Sequence, residues 1–260
     1  MAVHAGAGGR LIASVLVVGL PSVSPAQADP AIDGPRGGGP AVPRFSLQSP
    51  GGAPAGWQPL RPSRSAPDTR YTLEPDEAGV TVLRADAQRS MSALSVAIDP
   101  PREALGWRLR WRWKIVGPVP GGDPRHRAGD DYAARVYVTF AHPPDRLPLA
   151  LRARLAVLAV ATGQRPPSAA LNYVWDAAQP PGTILPNPYT DRVRMVVLRS
   201  GAAQAGQWIV ETRDLSADYA AAFGEPMPPV SGVAIASDAA DTGGRATAWF
   251  GDLELLVPAR

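Results

Sequence analysis

Residues 107–115 read WRLRWRWKI. Every odd-numbered position is large and apolar: Trp107, Leu109, Trp111, Trp113 and Ile115. Every even-numbered one is a cation: Arg108, Arg110, Arg112 and Lys114. A period of two is the period of a β-strand, whose successive side chains point to opposite faces. Wound as a helix, the same residues would scatter tryptophan and arginine around the whole cylinder. The three indoles together carry apolar surface on the order of several hundred Å², more than a lone strand leaves in water. The tryptophan side is therefore expected in a core, and the cationic side on a polar face.

Working outward, the same type of segment recurs on both sides. Strands are expected at 69–74, 79–85, 92–98, 107–115, 131–141, 169–175, 192–200, 207–214, 230–238 and 247–256, each closed by turn residues. Two helices interrupt them. Residues 146–161 place Leu147, Leu151, Leu155 and Leu158 on one stripe, which suits a helix covering a sheet edge; Arg146, Arg152 and Arg154 also raise a membrane-surface reading. In 215–224 Ser216 is the expected N-cap, Tyr219 and Phe223 lie four apart, and Gly224 closes the helix. Many strands joined by Pro- and Gly-rich loops imply an all-β, two-sheet β-sandwich, jelly-roll or concanavalin-like, with one or two short helices on its edge.

The chain opens with an apolar run, Leu11 to Leu20, after Arg10, and Ala26-Gln27-Ala28 follows. This is the pattern of a signal peptide over 1–28, cleaved after Ala28. Residues 29–43 read as a disordered Pro/Gly-rich lead-in, and 44–260 as one β-sandwich domain. An exported protein, periplasmic or extracellular, with no transmembrane segment after cleavage, is the expectation. The chain has no cysteine, which excludes a disulfide framework and thiol chemistry. Of 26 basic residues only Lys114 is lysine, and the cations are interspersed with carboxylates. A nucleic-acid partner is not expected from that pattern.

Several strands place charges on a face away from the core. Residues 131–139 put Asp131, Ala133, Arg135, Tyr137 and Thr139 on one face and Tyr132, Val136, Val138 and Phe140 on the core side. Glu211 and Arg213 share a face, Arg194 sits with Arg192, and Phe250, Asp252 and Glu254 oppose Trp249 and Leu253. Assembled, Arg110, Arg112, Asp131, Arg135, Tyr137, Arg194, Glu211, Arg213 and Asp252 would form a charged sheet face able to bind a polar ligand. A solvated ladder of ion pairs is the simpler use of the same residues.

These stretches carry a resemblance. GDDYAARVYVTF (129–140), LNYVW (171–175), NPY (187–189), RMVVLRSG (194–201), ETRDL (211–215), DYAAAFG (218–224) and the closing SDAADTGG with AWFGDLEL occur in this order. With LRWRWKI, the chain resembles the bacterial family known as domain of unknown function 3047 over roughly 44–256. The resemblance implies exported proteins of Gram-negative bacteria and brings no catalytic motif.

Enzyme chemistry has few candidates. His126 and His142 fall in loops beside prolines and are expected to be solvent-exposed; no G-x-S-x-G elbow is present. Asp252 and Glu254, two apart on a strand, would sit about 6–7 Å apart, near the spacing of an inverting glycosidase. A structural calcium at Asp238 and Asp241 is the alternative to a plain turn in SDAADTGG; otherwise no metal or cofactor is expected. The leading expectation is a non-catalytic binding domain for a glycan or other polar ligand or envelope component. A carbohydrate-active hydrolase or lyase, and an envelope structural or assembly protein, are the alternatives.

Overall fold

A computed structural model describes residues 40–61, 66–162 and 166–258 of the protein. The expected signal peptide and most of the lead-in lie outside the described residues. Among the described residues there are thirteen strands: β1 (Gln58–Leu60), β2 (Arg70–Pro75), β3 (Thr81–Gln88), β4 (Met91–Arg102), β5 (Arg108–Ile115), β6 (Arg135–Phe140), β7 (Ala169–Asp176), β8 (Ile184–Asn187), β9 (Thr190–Ser200), β10 (Ile209–Asp214), β11 (Val230–Asp238), β12 (Arg245–Phe250) and β13 (Glu254–Leu256). Helix α1 (Leu149–Thr162) lies between β6 and β7, and α2 (Leu215–Phe223) follows β10.

The strands form the expected two-sheet β-sandwich. One sheet has seven strands in the order β1-β4-β11-β6-β7-β9-β8. The other has six, β10-β5-β12-β3-β2, with β13 added to β5. Pairing is antiparallel except between β7 and β9. The opening stretch is β5, which lies between β10 and β12 in the six-stranded sheet. Trp111 and Trp113 are 1% and 0% exposed, as their alternation requires. Trp111 meets Tyr173 at 5.3 Å and Trp113 meets Trp175 at 6.0 Å. Since β5 and β7 belong to opposite sheets, these aromatic pairs join the two layers. Trp175 is thus core and offers no exposed platform.

Two strands absent from the sequence expectation, β1 and β8, are short edge strands containing proline, with no period to read. The expected strand 247–256 is two. Phe250 pairs with Trp113 and Glu254 with Arg110, so four steps on one chain oppose three on the other. That extra residue is a bulge, and it inverts which side chains face the core. Phe250 is fully buried, Trp249 lies outside, and Leu253 and Leu255 return to the core. Gly251 sits in the bulge, where a Cβ would lie 2.5 Å from Arg112 Cγ.

The N-cap of α2 is Asp214, whose side chain accepts from Ala217 N at 3.0 Å; Ser216 is the second residue of the helix and accepts from Gly106 N. Gly224, with φ 72°, closes the helix as expected. The aromatic pair of α2 works as expected: Tyr219 packs on Phe223 at 4.5 Å and on Phe140 at 4.7 Å. Helix α1 is half-buried along Leu151 and Leu155, but Leu149, Val157 and Val160 point away from the body.

Candidate functional site

The nine residues expected on one charged face are divided among three places. A sandwich has two outer faces that point in opposite directions, and charges on β5 and β6 cannot meet across the core. Arg110, Arg112 and Asp252 lie on the outer face of the six-stranded sheet. Glu211, Arg213 and Arg194 lie at the rim between the sheets. Asp131, Arg135 and Tyr137 lie on the outer side of the seven-stranded sheet.

The first group belongs to a paired ladder. Arg112 Nη2 is 2.7 Å from Asp76 Oδ2, and its guanidinium stacks 4.3 Å over Trp208. Lys114 pairs with Glu77 and sits 4.7 Å over Trp249. Glu77 and Glu74 accept from the indole N–H groups of Trp208 and Trp249 at 3.0 and 2.7 Å. Beside the ladder, Arg110, Arg112, Val210, Asp252 and Glu254 line a pocket of about 340 Å³. The expected catalytic pair is engaged elsewhere: Ser46 N donates to Asp252 Oδ1 at 3.0 Å, and Arg44 pairs with Glu254 at 3.0 Å. Asp252 precedes β13, so the assumption of one regular strand fails.

The rim group holds the layers together. Glu211 accepts from Trp113 Nε1 at 3.3 Å and pairs with Arg199 at 2.7 Å. Arg213 pairs with Asp218 on α2, and Arg194 donates to Ala222 O at the end of that helix. These are structural contacts that complete the core's edge.

The third group builds a hollow. On β4 and β11 the outward side chains are small: Ala93, Ala234 and Ala236 form a floor, bounded by Leu60 and Met91 on one side and by Tyr137 and Arg135 on the other. The hollow measures about 70 Å³, and Asp130, Asn187 and Asp238 close its polar end. Arg135 is almost fully buried. Its Nη2 lies 2.7 Å from Asp238 Oδ2, its Nη1 lies 3.3 Å from Asp130 Oδ1, and Tyr132 stacks under it at 4.2 Å. Asn187 Nδ2 donates to Asp130 Oδ2 at 3.2 Å.

The chain reaches this arrangement by leaving regular pairing before β6. Tyr132 N donates to Asp238 Oδ1 at 2.8 Å, which turns residues 130–134 away from the ladder. Tyr132 therefore packs with Val174, Met195 and Val197 on the outer side, against the expectation that it joins the core, and Ala133 takes a core position. Asp131 does not face a ligand. Its carboxylate accepts from Asp241 N at 3.2 Å and Thr242 N at 2.6 Å and so caps the 239–244 turn.

Four carboxylates thus gather near one buried cation. Burial pushes Asp238 up to about 7; Arg135 opposes the shift, and Asp131 and Asp130 add to it. Burial also raises Asp130, again against the pull of Arg135. Burial raises Tyr137 to about 12, so it is a hydroxyl donor at neutral pH. Both carboxylates of the calcium alternative have partners within the chain. Asp238 faces a guanidinium, and Asp241 Oδ2 accepts from Tyr189 OH at 3.1 Å. Among the described residues no group of three or more His, Asp or Glu is placed to hold a metal ion.

Two features escaped the sequence reading. Asn172 of β7 pairs in register with Tyr137; it is fully buried, and both its amide atoms lack a hydrogen-bond partner among the described residues. Nothing in an apolar strand such as AALNYVW marks it. His142 is not a solvent-exposed loop residue: its side chain is 8% exposed. Its Nδ1 lies 2.7 Å from Ser168 Oγ and its Nε2 3.1 Å from Glu225 Oε1. Ser168 also donates to Phe140 O and accepts from His142 N, and it is 4% exposed. That serine ties the ends of β6 and β7 and presents no free hydroxyl to a substrate.

Three of the stretches that carry the family resemblance meet at the hollow: 129–140, 187–189 and the SDAADTGG turn. The fold and this site describe a β-sandwich with a polar hollow on one sheet. The chain belongs to the family described as "Protein of unknown function (DUF3047)", whose pattern matches residues 55–254. No curated protein matches the chain. Among solved structures it is similar to the family 30 carbohydrate-binding module of a cellulosomal cellulase of Clostridium thermocellum (11% identity, 84% of this chain and 98% of that one, TM-score 0.38). It is also similar to a native family 12 xyloglucanase from Bacillus licheniformis (9%, 75% and 89%, TM-score 0.42). The family 12 endoglucanase 3 of Trichoderma harzianum is a further match (11%, 80% and 93%, TM-score 0.40). Likeness at this level assigns no activity.

Proposed function

We propose that the protein is a non-catalytic binding domain of the cell envelope that holds a hydroxyl-rich ligand, a glycan, in the hollow of the seven-stranded sheet. The observation that carries this reading is the pairing of an alanine floor with converging polar groups: Arg135, Asp130, Asp238, Tyr137 and Asn187. An apolar floor suits the face of a sugar ring. Carboxylates, a phenol and an amide at one end suit its hydroxyls. Export and an envelope setting belong to the same proposal.

The test is a thermal-shift screen against neutral glycans and uronic acids, followed by titration calorimetry. A ligand at a hundred times its dissociation constant adds about 2.7 kcal/mol to stability. The expected result is a rise with at least one glycan that Tyr137→Ala removes. Binding that survives this change but is lost in Arg110→Gln would move the site to the opposite sheet. No rise across the panel would overturn the glycan reading.

The second reading is a carbohydrate-active hydrolase, with Asp238, which lines the hollow and is raised to about 7 by burial, as the group that carries the proton. Chromatography of the same glycan mixtures distinguishes the two. Shortened products that vanish in Asp238→Asn would make the hollow an active site.

A further inference from the structure

Helix α1 buries one side and turns another outward. Leu151 and Leu155 are half-buried, whereas Leu149, Val157 and Val160 are 74%, 68% and 88% exposed. At 100° per residue, Leu149, Ala153, Ala156, Val157 and Val160 fall within a stripe about 100° wide. Arg152 borders that stripe on one side and Arg154 on the other, and Arg146 lies just before the helix. All three arginines are exposed, and no ion pair joins them to a carboxylate among the described residues. From residue 146 to 162 the chain contains no Asp or Glu.

Exposed apolar side chains of this number in one strip are uncommon on a soluble surface. A strip bordered by cations and free of carboxylates complements an apolar layer beneath anionic headgroups. A second copy of the chain fits poorly, because a two-fold contact through this stripe would bring Arg152 and Arg154 against their own counterparts. We propose that α1 is an interfacial helix that lays its outer stripe on an anionic lipid bilayer. With 14 residues it is about 21 Å long, too short to cross a bilayer. No helix among the described residues is long and apolar enough to do so. The helix therefore lies in the plane of the surface, and the sandwich is carried beside it. Positions 152 and 154 set the electrostatic attraction, and positions 157 and 160 the insertion.

The experiment is vesicle flotation of residues 29–260, the chain expected after cleavage at Ala28. Vesicles of phosphatidylglycerol are compared with vesicles of phosphatidylcholine alone. The protein is expected to float with the first, to stay behind with the second, and to be released by high salt. Arg152→Gln with Arg154→Gln is expected to lower partitioning about thirtyfold. Val157→Glu with Val160→Glu is expected to abolish flotation without changing the melting temperature, since both side chains are exposed. Equal flotation with both lipids, no flotation with either, or variants that behave like the parent would overturn the proposal. A concentration-dependent dimer that the glutamates break, without flotation, would assign the stripe to a second copy and overturn it too.

Discussion

Arg135 of β6 and Asp238 of β11 grip each other side by side: Nη2 lies 2.7 Å from Oδ2 and Nε lies 3.1 Å from Oδ1, with both side chains nearly out of water. Asp130 holds the remaining edge of the guanidinium. Removing the cation would leave two buried carboxylates facing each other. Arg135→Gln is therefore expected to cost about 3–5 kcal/mol, read from urea denaturation. A cost below about 1 kcal/mol would mean that the carboxylates relax into a neutral hydrogen-bonded pair.

The same cluster sets a pH dependence. Asp238 stands at about 7 in the folded chain because of burial, against about 3.9 for an unperturbed aspartate. The folded state therefore holds this proton more tightly than the unfolded state. Its contribution to stability is complete below about pH 4 and is lost as pH rises through about 7, with an upper limit of about 4 kcal/mol. Asp130, raised mainly by burial, acts in the same direction. Melting temperature is expected to fall between about pH 4.5 and 8. Asp130→Asn removes a like charge, leaves Asp238 in a one-to-one pair with Arg135, and should flatten that fall. An unchanged slope in the variant would place the proton on another group.

The outer face of the six-stranded sheet separates two arginines that look equivalent in the sequence. Arg110 is exposed, and Arg110→Gln is expected to change stability by less than about 0.5 kcal/mol. Arg112 holds Asp76, whose side chain is 2% exposed, stacks on Trp208 and covers Gly251. Arg112→Gln is expected to cost about 1–3 kcal/mol. Gly251→Ala should cost about 1–3 kcal/mol through its collision with Arg112. In the Arg112→Ala background the glycine change should cost much less, because its obstacle is gone. Additive losses would show that the bulge itself, and not the arginine, requires glycine.

What was legible follows from how far each signal reaches along the chain. The alternation in 107–115 is local, and it placed Trp111 and Trp113 in the core without reference to any partner. The sandwich followed from repeated local signals of the same type, which passed over the short edge strands β1 and β8. Which outer faces lie together depends on pairing between distant segments, so Arg110 and Arg135 could not be separated by period alone. The inversion at Phe250 depends on one extra residue opposite β5, which a period count continued straight through. His142 reads as a loop residue because Ser168 and Glu225, which enclose it, are remote in sequence. Asp130, Asp131 and Asp238 were visible as charges, but their gathering at Arg135 is a product of the turn at Tyr132.

Asn172 sits across from Tyr137 in register, fully buried, with neither amide atom bonded to another described group. Burying such an amide costs about 1–3 kcal/mol relative to a satisfied one. Leucine has the same branched skeleton of four side-chain heavy atoms and no polar atom, and its methyl groups need slightly more room. Asn172→Leu is therefore expected to leave stability unchanged or to raise it by about 1 kcal/mol. A residue kept only for packing would have no reason to carry an amide here. If the hollow binds a hydroxyl-rich ligand that reaches past Tyr137, the same change should weaken binding by about tenfold while the melting temperature holds, because one hydrogen bond is lost. Calorimetry and thermal unfolding on the one variant separate the two roles. A destabilisation above about 2 kcal/mol would show that the amide is satisfied within the fold in solution. Asn172 would then be a structural residue with no part in ligand binding.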